Sequence, residues 1–211
     1  MSEGYDALQS ETRAGGLPTV FVRLDGGSRR GQWWESAYAW SGGTVRSLDS
    51  ILGEVAGFTP RYVCVTGGEP LAQPSALPLL QRLCDAGYEV SLETSGALDI
   101  AGTDLRVSRV VDLKTPGSEE SHRNRYENIE QLTRNDQVKF VICSREDYDW
   151  AVSKLIQYNL AERAGAVLFS PSHPPVSARD LADWIVAYNL RGLFQLPLST
   201  PPWTHRERAG S

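Results

Sequence analysis

The sequence has no CxxC pair, no pair of neighbouring histidines, and only three cysteines in 211 residues. A zinc or iron–sulfur site built from closely spaced protein ligands therefore has no support. Cys64, Cys84 and Cys143 are far apart and sit beside apolar segments, which fits reduced core thiols and not a disulfide framework. Lysine and arginine form no strong cluster and the net charge is −5, so the basic footprint of a nucleic-acid binder is missing. No run reaches transmembrane length and no signal-peptide core lies near the N-terminus; no membrane partner is expected, and the chain is read as cytoplasmic. The histidines, His122, His173 and His205, are scattered, which leaves carboxylates as better candidates for acid–base work.

What is present is a composition with 41% hydrophobic and 22% charged residues, that of one globular domain over residues 1–211. Residues 1–17 form a polar N-terminal extension. Strands are expected at Thr19–Leu24, Tyr62–Val65, Tyr88–Leu92, Val107–Leu113, Val138–Cys143, Ala166–Phe169 and Leu193–Leu198, all rich in β-branched or aromatic residues. Helical periodicity covers Val45–Val55, Ser75–Ala86, Glu119–Thr133, Asp147–Tyr158 and Ser177–Tyr188, the last with Ser177 as N-cap. This alternation predicts an α/β fold with a parallel sheet and outer helices. About six or seven βα units fit, too few for a closed eightfold barrel, so a partial barrel is expected.

One stretch stands out, Arg61-Tyr-Val-Cys-Val-Thr-Gly-Gly-Glu-Pro-Leu71. A buried strand ends in two glycines, whose missing Cβ atoms let the backbone lie against a ligand, followed by a carboxylate. Ligand sites in parallel α/β folds lie at such strand ends. An ordinary strand-to-helix turn is the alternative. Thr66-Gly-Gly-Glu-Pro70 as a unit resembles the GGEP motif of radical S-adenosylmethionine (SAM) enzymes, which holds the methionyl amino end of SAM.

Further strand ends match in one order: Leu8-Gln-Ser-Glu11, Phe21-Val-Arg-Leu24, Glu93-Thr-Ser-Gly96, Lys114-Thr-Pro-Gly-Ser118, Gln137-Val-Lys-Phe-Val141, Ser170-Pro171 and Gln195-Leu196. Together they resemble the 7-carboxy-7-deazaguanine synthases over nearly the whole chain. The resemblance implies a reduced (β/α) barrel of the radical SAM type and a homodimer. It also implies SAM contacts at Gly67, Gly68, Glu69, Glu93, Thr94, Ser95, Lys114 and Ser118. Glu93 to Ser95 suit a ribose or amino-acid moiety, and equally suit local turn hydrogen bonds. Lys114 and Ser118 suit a ligand carboxylate; a solvated lysine is the alternative.

The departures from that family are specific. Its first loop carries three cluster cysteines; aligned without a gap, those positions fall on Gly27, Gly31 and Trp34. None supplies the thiolate a [4Fe–4S] cluster requires, so neither the cluster nor reductive SAM cleavage is expected. Asp25, Ser28, Arg29, Trp33, Glu35 and Ser36 differ as well, the mark of a diverged natural sequence. Trp34 either fills the vacated volume or offers a stacking face to a co-substrate ring. Ser36 keeps the hydroxyl that in the family reaches Mg²⁺, but one neutral oxygen does not make a hard-cation site. At the far end, Ser199 and Thr200 stand where the family has a histidine and a lysine, opening a diverged tail over 199–211. Arg23 and Gln195 remain, with Trp34, as co-substrate contacts, and Glu11 and Glu35 as catalytic carboxylates. The resulting expectation is a cluster-free SAM-utilising transferase or lyase. The alternatives are a SAM- or deazapurine-binding regulatory protein, or a structural partner of an active homologue.

Overall fold

The computed structural model describes residues 3–9, 12, 14–24, 45–172, 176–188 and 193–194. Its frame is one eight-stranded sheet in sequential order: β1 (Glu3–Leu8), β2 (Pro18–Leu24), β3 (Tyr62–Gly67), β4 (Glu89–Thr94), β5 (Ser108–Asp112), β6 (Gln137–Ile142), β7 (Ala166–Pro171) and β8 (Leu193–Phe194). Every neighbouring pair from β2 to β8 is parallel, and β1 alone runs antiparallel, against β2. Among the described residues β1 and β8 do not pair, so the sheet is open. The parallel α/β expectation holds; the strand within residues 1–17 is an addition to it. Glu3–Leu8 has little apolar alternation of its own, and its order comes from β2 and from the Tyr5 and Phe21 rings, stacked with centroids 5.4 Å apart.

Among the described residues five α-helices cover one face: α1 (Leu48–Val55), α2 (Ala76–Asp85), α3 (Arg145–Gln157), α4 (Leu160–Arg163) and α5 (Ala178–Tyr188). Ser47, Ser144 and Ser177 cap α1, α3 and α5, each hydroxyl accepting a backbone N–H from three residues on. Two apolar clusters lie between helices and sheet. One joins Val20, Val22, Leu24, Val63, Val65, Val90 and Leu92 to α1 and α2. The other joins Val138, Phe140, Ile142, Val167 and Phe169 to α3, α4 and α5. These strand residues alternate with the set on the opposite face, as the two-residue period requires. No described helix is long and apolar enough to cross a membrane.

Residues Glu119–Thr133 depart from the helical expectation. They form two short 3₁₀ segments, Ser121–Arg123 and Tyr126–Gln131. Two asparagines within the segment bond to neighbouring loops. The Asn128 amide donates to Gly96 O and Leu98 O and accepts from Ile100 N, while Asn124 takes both the N–H and the C=O of Lys114. These side chains serve the strand ends of β4 and β5, and i→i+3 turns bring both within reach.

Candidate functional site at the strand ends

Strand alternation decides which side chains can meet a ligand. Opposite the helices, the sheet carries Phe21, Arg23, Cys64, Thr66, Ser91, Glu93, Asp112, Lys139 and Ser170, by the parity of the strands and their register. The polar members of this inner face, which also carries Val110, Val141 and Leu168, need either internal pairing or a ligand where they are buried.

At the end of β3, Gly67 has φ +133°, and a Cβ there would lie 2.0 Å from Leu24 O. Glycine at 67 is thus required by the closeness of β2, within the chain itself. The Gly68 N–H donates to the same carbonyl at 3.3 Å. Glu69 is 5% exposed. Its Oε1 accepts from Leu71 N (3.2 Å) and Thr94 Oγ1 (2.8 Å), and its Oε2 from Ser95 N (2.9 Å) and the Ser95 hydroxyl. Four donors fill this carboxylate. It fastens the Gly-Gly-Glu turn to the end of β4, and the hydroxyls of Thr94 and Ser95 are spent on it.

Glu93 faces the other way, to the inner face, where Thr66 donates to its Oε2 at 2.9 Å. The Cys64 thiol lies beneath, fully buried; burial first and the nearby Glu93 charge second push its pKa well up, so it stays protonated. Arg23 reaches the Tyr5 hydroxyl at 3.1 Å and lies in register with Thr66. At the end of β5, Lys114 forms an ion pair with Asp112 Oδ2. The Ser118 hydroxyl donates to Thr115 O at 2.6 Å and accepts from Glu120 N, a closed turn apart from Lys114. Asp147, at the start of α3, anchors this loop through Gly117 N (2.8 Å) and Cys143 N (3.1 Å).

The structure thus brings Gly67–Glu69 together with Thr94 and Ser95, and Glu93 with Thr66. Glu11, Gly27, Gly31, Trp34, Glu35, Ser36 and Gln195 lie outside the described residues, as does the 199–211 tail. Sequence reading missed Tyr5, Asp112, Asn124, Asn128 and Asp147. Only Asp112, two residues before Lys114 on the inner-face parity, carried a usable signal.

The cysteines do not compose a cluster site. Cys64 is in β3, Cys84 in α2 and Cys143 after β6; all are free and buried. Among the described residues no three His, Cys, Asp or Glu side chains are grouped to hold a metal ion. Residues 25–36 contain no thiol at all.

No protein-family model matches the chain. By sequence it is 38% identical over 200 residues to a 7-carboxy-7-deazaguanine synthase of Koribacter versatilis, covering 88% of each protein. A second protein of that name, from Chlorobaculum tepidum, is 33% identical over 207 residues, 96% of this chain and 93% of that one. By fold it resembles the crystal structure of QueE from Escherichia coli, with a TM-score of 0.72 at 22% identity, covering 93% of this chain and 92% of that one. SuiB of Streptococcus suis, crystallised bound to S-adenosylmethionine, gives a TM-score of 0.52 at 14% identity over 69% of this chain and 40% of its own. With a mostly parallel sheet, flanking helices and this level of identity over most of its length, the chain belongs to the 7-carboxy-7-deazaguanine synthase family.

Proposed function

We propose that this family member binds S-adenosylmethionine at the ends of β3, β4 and β5 and uses it in polar, non-radical chemistry. The observation that carries the reading is a contrast within one sequence. The positions expected to hold thiolates are Gly27, Gly31 and Trp34, whereas Gly67, Gly68, Glu69, Glu93, Thr94, Ser95 and Lys114 persist. Without soft sulfur ligands in that loop, residues 25–36 do not fit an iron–sulfur cluster. A sulfonium is already an activated electrophile, and a pocket that orients it against a nucleophile supports alkyl transfer, cyclisation or elimination.

In this reading the chain's own groups divide the work. The inner-face Thr66–Glu93 pair suits a ribose hydroxyl. Lys114 suits a carboxylate, and Arg23, with Trp34 and Gln195, a planar co-substrate. Glu11 and Glu35 are the proposed proton carriers; Ser36, a single neutral oxygen, is not taken to hold Mg²⁺. The protein is further proposed to be a cytoplasmic homodimer, which a molar mass from light scattering tests.

One observation favours a second reading, a binder that does not turn its ligand over. The acceptors of Glu69 and the hydroxyls of Thr94 and Ser95 satisfy one another.

The test is anaerobic reconstitution with iron analysis, followed by incubation with S-adenosylmethionine and mass spectrometry of the products. Methylthioadenosine or S-adenosylhomocysteine is the expected outcome. A full iron and sulfide complement with 5′-deoxyadenosine overturns the proposal, and binding without turnover supports the second reading.

A further inference from the structure

The antiparallel strand β1 brings a hydroxyl to the inner face of the sheet. Tyr5 lies opposite Phe21 of β2, and the two rings stack with centroids 5.4 Å apart and planes 12° from parallel. The Tyr5 hydroxyl accepts from Arg23 Nη2 at 3.1 Å. A phenylalanine would make the same stack, so the ordering of β1 does not call for the phenol oxygen. What that oxygen adds is a fixed direction for the guanidinium, the head of a long side chain with much rotamer freedom to lose.

Arg23 is the last inner-face residue of β2, in register with Thr66, whose hydroxyl bonds to Glu93. It therefore lies at the strand ends where the ligand is proposed to bind. β1 runs against β2, with Glu3 opposite Arg23 and Tyr5 opposite Phe21, so the phenol meets the guanidinium as a diagonal cross-strand neighbour. The stack holds the phenol and the phenol holds the guanidinium. Such preorganisation gives affinity without adding a ligand contact. We propose that Tyr5 is a positioning residue for co-substrate recognition, setting the plane of Arg23 so that its planar fork meets an anionic group on the co-substrate ring. This rests on the reading that Arg23 contacts a planar co-substrate, and adds to it a role for β1.

The test is calorimetric binding of 7-carboxy-7-deazaguanine and 7-deazaguanine, which differ by one carboxylate, to the full chain and to Tyr5→Phe. The variant keeps the stack with Phe21 and loses only the acceptor for Arg23. The preference for the acid over the neutral ring should fall at least about threefold. A smaller change overturns the inference, because a strand with a merely structural role weakens both probes equally or neither. Repeated in an Arg23→Gln background, Tyr5→Phe should leave that preference within about twofold; a larger further loss means the phenol does not act through Arg23 and overturns the inference as well. If Tyr5→Phe does not fold, a structure of the parent with 7-carboxy-7-deazaguanine decides: an Arg23 guanidinium still bonded to Tyr5 supports the role, and one beyond hydrogen-bond reach overturns it. Failure of the parent to bind either deazapurine overturns the co-substrate reading itself and is seen without any variant, whereas binding whose preference ignores Tyr5 overturns the role of Tyr5 alone.

Discussion

At the end of the sheet where the strands begin, Asp136 is closed in by the Arg109 guanidinium and backbone N–H, with Thr133 adding its own N–H and hydroxyl. Where the strands finish, Asp112 keeps a buried oxygen with no donor among the described residues. Both are acids at sheet ends, yet one is saturated and the other is not. Asp136 and Arg109 are 0% and 2% exposed, and every strong acceptor of the pair is used. That pattern belongs to a fastening, since a buried charge is tolerated only when fully paired. An open acceptor on the polar inner face belongs to a site. Glu69 stands between them, placed at the site end and saturated like a fastening.

The largest expected effect tests the closed end. Arg109→Ala strands the Asp136 carboxylate and should cost about 3–5 kcal/mol in urea unfolding, while leaving ligand affinity unchanged; a loss below about 1 kcal/mol would place this pair with ordinary surface pairs. The same pair sets an acid limb. Burial would raise the Asp136 carboxyl, but the Arg109 and backbone donors outweigh it and hold the group below its usual range. A depressed folded-state value means its stabilisation is present above the unfolded carboxyl value of about 4 and lost as pH falls through the folded one. Unfolding free energy measured against pH should therefore drop in acid, and Asp136→Asn should flatten that limb.

Glu69→Gln comes next, with about 1.5–3 kcal/mol lost because charge-assisted bonds to Thr94 and Ser95 weaken. A stability unchanged by this substitution would show that Glu69 belongs with Asp112, not with Asp136. Gly67→Ala forces a Cβ against Leu24 O in a positive-φ position, at an expected cost of about 1–3 kcal/mol, readable as a lowered thermal midpoint. The smallest effect lies at a helix cap. Ser177→Ala removes the hydroxyl that accepts the Asp180 N–H at the start of α5, and about 1 kcal/mol is expected.

Much of the fold was legible because strands β2 to β7 are short β-branched runs separated by helical periodicity, signals that local chemistry writes directly. Ser177 was readable as a cap for the same reason. Glu119–Thr133 was not, since the apolar spacing of Tyr126, Ile129 and Leu132 mimics a helix while Asn124 and Asn128 are committed to loops distant in sequence. β1 was hidden because its partner, and not its own pattern, orders it. At the site, Gly67, Glu69, Glu93, Thr94 and Ser95 were identified by motif, but their division of labour was not. The parity of β4 sends Glu93 to the inner face and Thr94 to the other, and only the register of β3 against β4 brings Thr94 and Ser95 onto Glu69.

The sequence by itself determined the parallel α/β architecture, the family likeness and the lack of thiolates at residues 27, 31 and 34, because periodicity and residue type need no partner to be read. The tertiary structure decided which polar groups are already satisfied. Glu69 and Asp136 are closed and Asp112 is open, and that depends on donors brought by other strands and loops. Hydrogen-bond saturation is a property of neighbours in space, which the chain's order alone does not state.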